Sequence, residues 1–150
     1  MAGFDHEALR EARRSTIELA CPFERALLSG CVTCHQCRRL CLGEHEAVSC
    51  SNEAANLLCE QFLAAVRDNS RFALQVDPRQ RWPFGKSLRA QCGGVLGLKN
   101  ALELPPDAGS DVAQVLAQAL VRWGSLADLP FSDIMRGLAQ YQTRRRRPVR

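Results

Sequence analysis

The chain has 150 residues with a formal net charge of +4, a size suited to one folded domain or a small domain with an appendage. Much of the positive excess lies in the final "RRRRPVR", so the remainder is close to neutral and a broadly basic nucleic-acid surface is not indicated. Only 6% of residues are aromatic, so a core must rely on Leu, Ala and Val, which favours helices over a β-sandwich.

Residues 5–20 predict an amphipathic helix, with Asp5 as its cap and Ala8, Leu9, Ala12 and Leu19 as a partial apolar stripe. Cys21-Pro22 ends it, because a residue before proline is pushed out of the α region. "FERALLSG" predicts a short helical turn closed by Gly30, and Gly43 breaks the pattern after the cysteine run that follows. The clearest helix is "SNEAANLLCEQFLAAVRD", Ser51 to Asp68, with Ser51 as N-cap and Ala55, Leu58, Cys59, Phe62 and Val66 on its buried face. "RFALQV" alternates at period two, as a short strand would, and "DPRQRWPFGKS" predicts a loop. "QCGGVLG" sets Cys92 beside two glycines, where the backbone can fold closely around something. Pro105-Pro106 and "DAGS" signal a linker. A helix from Asp111 to Trp123, capped by Ser110 and stopped by Gly124, and a last helix capped by Ser132 would then form a hairpin.

The expected architecture is therefore mainly α. Residues 1–104 would form a cysteine-rich module, residues 107–143 a helical hairpin packed on it, and residues 144–150 a disordered arginine tail. No segment has the ~18 consecutive apolar residues of a membrane span, and the N-terminus lacks an apolar signal-peptide core. A cytoplasmic location is expected, where cysteine clusters more often mean metal or redox chemistry than structural disulfides.

Four of the eight cysteines fall in "CVTCHQCRRLC", spaced C-x2-C-x2-C-x3-C from Cys31 to Cys41. On one continuous helix Cys34, Cys37 and Cys41 would lie roughly 300°, 240° and 280° from Cys31, a cysteine stripe packing as small apolar groups. Along such a helix Cys31 and Cys41 would stand ~15 Å apart, too far to share one ion. Metal binding therefore requires a loop over at least Cys31 to Cys37, which Gly30, Val32 and Thr33 permit, with helix resuming at Arg38.

Over these eleven residues the run resembles the [4Fe–4S]-binding segment of bacterial ferredoxins. It departs in having Leu42 where that family has proline, and in lacking a second copy. The resemblance implies Cys31, Cys34 and Cys37 as cluster ligands. Cys41 and remote Cys92 are candidates for a further place, as are Cys21, Cys50 and Cys59. Zinc is the competing cofactor: Cys34, Cys37, His45 and Cys50 give a Cys₃His set similar to a zinc knuckle with a longer middle loop. "CVTCH" also spells a haem-attachment signal, disfavoured without an export segment, and thiolates would suit copper(I), disfavoured by only two methionines.

No phosphate-cradling loop, G-x-S-x-G or H-E-x-x-H is present, so no catalytic residues are assigned. The expected function is a small iron–sulfur protein serving electron transfer or redox sensing for a larger protein partner. The alternative is a zinc-stabilised adaptor that binds protein or RNA. Arg144 to Arg147 offer a contact for nucleic-acid phosphates, although a solvated tail is the favoured reading.

Overall fold

The computed structural model describes residues 7–8, 11, 19–71, 83–105 and 107–141. The expected strand "RFALQV", the arginine tail and most of the expected helix over 5–20 lie outside the described residues. Within that helix Glu7, Ala8 and Glu11 are helical. Leu19 and Ala20 are not: Ala20 bridges Ser49, and the Leu19 carbonyl accepts from the Cys50 N–H at 2.8 Å.

The protein is mainly α, with one small hairpin among its described residues. The first short helix, α1 (Glu24–Ser29), begins after Cys21-Pro22 and stops at Gly30. Gly30 takes φ 83°, a left-handed conformation that glycine adopts without a Cβ penalty, and its N–H bonds the Leu27 carbonyl. The run Cys31 to Gln36 is loop and turn, as metal binding would require.

Helix does not resume at Arg38. Cys37–Leu42 forms β1, which pairs antiparallel with β2 (His45–Cys50) in the register Cys37↔Cys50 to Leu42↔His45. The connection is the two residues Gly43 and Glu44, with φ positive at Gly43 alone, the pattern of a type II′ turn. Ala47 and Val48 on β2 are fully buried, while the tip is exposed. The hairpin is tied to α1 twice. Glu24 Oε1 accepts from the Val48 N–H at 3.0 Å, and Arg39 donates to the Leu27 carbonyl at 2.9 Å.

Helix α2 (Glu53–Asn69) is capped by Asn52, whose Oδ1 accepts from the Ala55 N–H, and not by Ser51. The Ser51 hydroxyl donates instead to the Gln36 carbonyl at 2.8 Å. Helix α3 (Phe84–Ala101) runs through what the sequence marks as loop at "FGKS" and through all of "QCGGVLG". Helix α4 (Val112–Trp123) is capped one residue later than expected, by Asp111, and ends at Gly124. After a 3₁₀ turn, Leu126–Asp128, the last helix α5 (Phe131–Gln140) starts at Pro130, with Ser132 inside its first turn.

The last helix lies chiefly along α3. The two run antiparallel: Gly93 meets Leu138 and Tyr141, while Gly97 meets Ile134 and Gly137. A Cβ at Gly93 would approach the Leu138 backbone to 2.9 Å, so these glycines permit contact of the two backbones. That contact explains a helix the sequence hides, since each interior glycine costs about 1 kcal/mol relative to alanine unless packing offsets it. One hydrophobic cluster joins elements on both sides of Pro105, including Phe23, Phe62, Leu98, Leu116, Ile134 and Leu138.

Candidate metal centre

Five free cysteines from separate parts of the chain line one cavity: Cys21, Cys34, Cys37, Cys50 and Cys59. Phe23, Leu27 and Val112 supply apolar wall, and Asn56 and Gln36 supply polar groups.

Backbone bonding explains how distant residues meet here. Cys21 precedes α1 and is held against β2 by its N–H, which donates to the Val48 carbonyl at 3.1 Å. Cys34 and Cys37 bracket a tight turn in which the Cys37 N–H donates to the Cys34 carbonyl at 3.3 Å. Cys37 then opens β1 and lies directly opposite Cys50, the last residue of β2. The Ser51 N–H returns to the Gln36 carbonyl at 2.9 Å, which closes the turn against the end of the hairpin. Cys59 reaches the cavity from the buried face of α2.

Three residues that the sequence did not single out hold this arrangement. Asn56 is 5% exposed, and its Nδ2 donates to the Ala20 carbonyl at 2.8 Å, which fixes the backbone just before Cys21. Asp111 caps α4 and also accepts from the backbone N–H and ring Nδ1 of His35, both at 2.9 Å. It thus pins the turn between Cys34 and Cys37 to α4. The Gln36 carbonyl accepts from both the N–H and the hydroxyl of Ser51. A readable signal existed for Asn56 alone, as a polar residue interrupting the apolar face of α2.

Burial raises three of these thiols, Cys21, Cys34 and Cys59, and so favours their protonated forms. Burial pushes Cys21 up to about 12; the backbone hydrogen bond at Phe23 opposes this, and Cys34, Cys50 and Cys37 add to it. Burial also pushes Cys59 up to about 12, with Cys21, Cys34 and Cys50 adding to it. Cys34 is raised by burial, against backbone hydrogen bonds, and by Asp111 and Cys37. Mutual repulsion among would-be thiolates is what a bound cation relieves, because a coordinating thiol is deprotonated outright.

The other cysteines are placed differently. Cys31 and Cys92 are joined as a disulfide, with Cα atoms 6.0 Å apart, so neither offers a thiolate while the bond holds. Cys41 is exposed on β1, four residues and roughly 13 Å along the strand from Cys37. His45 does not join Cys34, Cys37 and Cys50 as the Cys₃His set requires. It begins the strand that Cys50 ends, which separates the two by roughly 17 Å. His35 is half exposed and engaged with Asp111.

Among the described residues, no three His, Cys, Asp or Glu side chains converge closely enough to hold a single metal ion. The five thiols line one cavity without converging on a single point. No known protein family, curated protein or solved structure matches the chain. Among the described residues no helix is long and apolar enough to cross a membrane.

Proposed function

We propose that the protein binds an iron–sulfur cluster in the cavity lined by Cys21, Cys34, Cys37, Cys50 and Cys59. The observation that carries this reading is the gathering of five free thiols from four stretches of chain around one partly enclosed space. Free cysteine packs well as a small apolar group, but five beside Phe23, Leu27 and Val112 are more than packing needs, since alanine would serve as well. A [4Fe–4S] cluster takes four cysteine thiolates on separate irons, so its ligands stand wider apart than those of a tetrahedral ion with ~2.3 Å bonds. Among the described residues no three of these thiols converge as a single ion requires, which favours a ligand set spread over several irons. Cys34 and Cys37 from the turn, Cys50 from β2 and Cys21 from the segment before α1 are the four we assign. Cys59, on α2, lines the same cavity and is left as a neighbouring thiol.

When bound, the cluster would supply one-electron chemistry, and the role that follows is electron transfer to, or redox sensing for, a larger protein. The chain itself holds the ligands, excludes water through Phe23, Leu27 and Val112, and limits reorganisation by tying the turn to the hairpin. Zinc in an adaptor is the second reading, favoured by the tight Cys34–Cys37 turn and by Cys50 directly opposite Cys37.

Single cysteine-to-serine variants test the assignment. Replacing Cys34, Cys37, Cys21 or Cys50 should each remove most of the bound metal, whereas Cys41→Ser should leave metal content unchanged. Full metal retention in the Cys34→Ser and Cys37→Ser variants would overturn the reading.

A further inference from the structure

The disulfide lies at the entrance to the same loop that carries two of the assigned ligands. Cys31 is three residues before Cys34, and its partner Cys92 is fixed in the middle of α3 at 3% exposure. The loop is held at a second point by backbone bonds to the start of α4. The Thr33 N–H donates to the Ser110 carbonyl at 3.0 Å, and the Thr33 carbonyl accepts from the Val112 N–H at 2.9 Å. Between Gly30 and Cys34, then, one covalent bond and one backbone bridge set the path of the chain into the site.

We propose that the Cys31–Cys92 disulfide is a redox-operated clamp on the thiol cavity. Closed, it holds Cys34 and Cys37 in place; opened by a dithiol reductant, it lets the loop relax and the metal leave. The inference rests on the metal-binding reading and adds its regulation.

The chemistry of opening is thiol–disulfide exchange. Cys31 is half-buried and Cys92 is fully buried, so the Cys31 sulfur is the one that a reductant thiolate would attack. A sulfur–sulfur bond forms there, the Cys31–Cys92 bond breaks, and its electron pair passes to the Cys92 sulfur, which takes up a proton. The second thiol of the reductant then attacks the mixed disulfide. It is released as its own disulfide and leaves Cys31 as a thiol. Both products have partners in place. Ser29 Oγ lies 4.0 Å from the Cys92 sulfur, and the Ala26 carbonyl lies 3.5 Å from the Cys31 sulfur, where it can accept from the new thiol. The local effect is on the loop: with the bond open, the backbone bridge from Thr33 to Ser110 and Val112 is left to hold the chain between Gly30 and Cys34.

The test uses the metal-loaded protein. Loss of bound metal to an excess of chelator is followed with and without a phosphine reductant, which opens disulfides without introducing a competing thiol ligand. The double variant Cys31→Ser/Cys92→Ser is measured beside it. Alkylation under denaturing, non-reducing conditions should first label the six free cysteines and leave Cys31 and Cys92 unlabelled. The reduced protein and the double variant should then both lose metal faster than the oxidised protein, on the order of tenfold, the scale of losing an outer support of a metal ligand. Circular dichroism of the reduced protein separates release from global unfolding; a collapse of helical signal before metal loss would overturn the clamp. Equal release rates in all three forms, or labelling of all eight cysteines at the outset, would also overturn it while leaving the metal site standing. A protein that carries no metal in either form would sink both.

Discussion

The thiols of the cavity are its most informative side chains, because their protonation links metal, pH and stability. Cys21 and Cys59 keep their protons up to about 12 in the folded metal-free protein, whereas the unfolded chain releases them near the ordinary 9.0. Above pH 9 the unfolded state therefore binds fewer protons than the folded one. Stability that is fully present below pH 9 falls as pH rises toward 12. Denaturant titrations of metal-free protein from about pH 8 to about pH 11 should show this decline, with a shallower slope in Cys21→Ser/Cys59→Ser. A flat profile would mean that these thiols are not buried together. Metal binding has the opposite dependence: ligands must lose protons to bind, so apparent affinity should rise with pH over the neutral range. A second residue prediction concerns Glu103, which adopts φ 58° just past the end of α3. A left-handed conformation costs a non-glycine residue about 1–2 kcal/mol, partly offset in glycine by its greater freedom when unfolded. Glu103→Gly should raise stability by up to about 1 kcal/mol in chemical denaturation.

At the scale of elements, two features position the site, and they differ in how readable they are. The hairpin places Cys37 opposite Cys50, and its turn depends on the positive φ of Gly43. Gly43→Ala should cost about 1–2 kcal/mol and weaken metal retention, because the strand register would lose its anchor. The α3–α5 contact depends on Gly97 and Gly137, which meet backbone to backbone. Gly97→Ala would drive its methyl into the Ile134 backbone and should cost about 1–3 kcal/mol or more in denaturation experiments. Tolerance of alanine there would contradict the packing described.

Much of the helical layout was legible. α2 and α4 show apolar residues at helical spacing with a capping residue ahead, and both appear within one or two residues of expectation. The hairpin was not legible, because "CRRLCL" and "HEAVSC" do not alternate cleanly between apolar and polar residues. Their faces are set by α1 and α2 packing against β2, where Ala47 and Val48 are both buried, a tertiary effect. The sequence of α3 looks partly like loop because its glycines signal a break locally and acquire their meaning only from a neighbouring helix. For the site, the loop that metal binding would require over Cys31 to Cys37 is present as far as Gln36, and Cys37 opens β1. It could not say that Cys31 pairs with Cys92, since pairing depends on a Cα separation that sequence does not contain.

At the scale of the molecule, one hydrophobic cluster among the described residues joins α1, the hairpin, α2, α3, α4 and α5, and its Phe23, Leu27 and Val112 also line the thiol cavity. The packed core itself gathers these thiols, so on the proposed reading bound metal would add stability to an existing fold. Metal-free protein should retain its helices and unfold at a lower temperature than the loaded form, with the difference growing as metal concentration exceeds its dissociation constant. A metal-free chain without helical structure would instead place this protein among those that fold only on the metal.

The central claim is that the gathered thiols hold an iron–sulfur cluster. It is tested most directly by elemental and acid-labile sulfide analysis of protein purified without oxygen. The account predicts brown protein with iron and sulfide in equal amounts, about four of each per chain, the composition of one [4Fe–4S] centre. Colourless protein with stoichiometric zinc and no sulfide would contradict it.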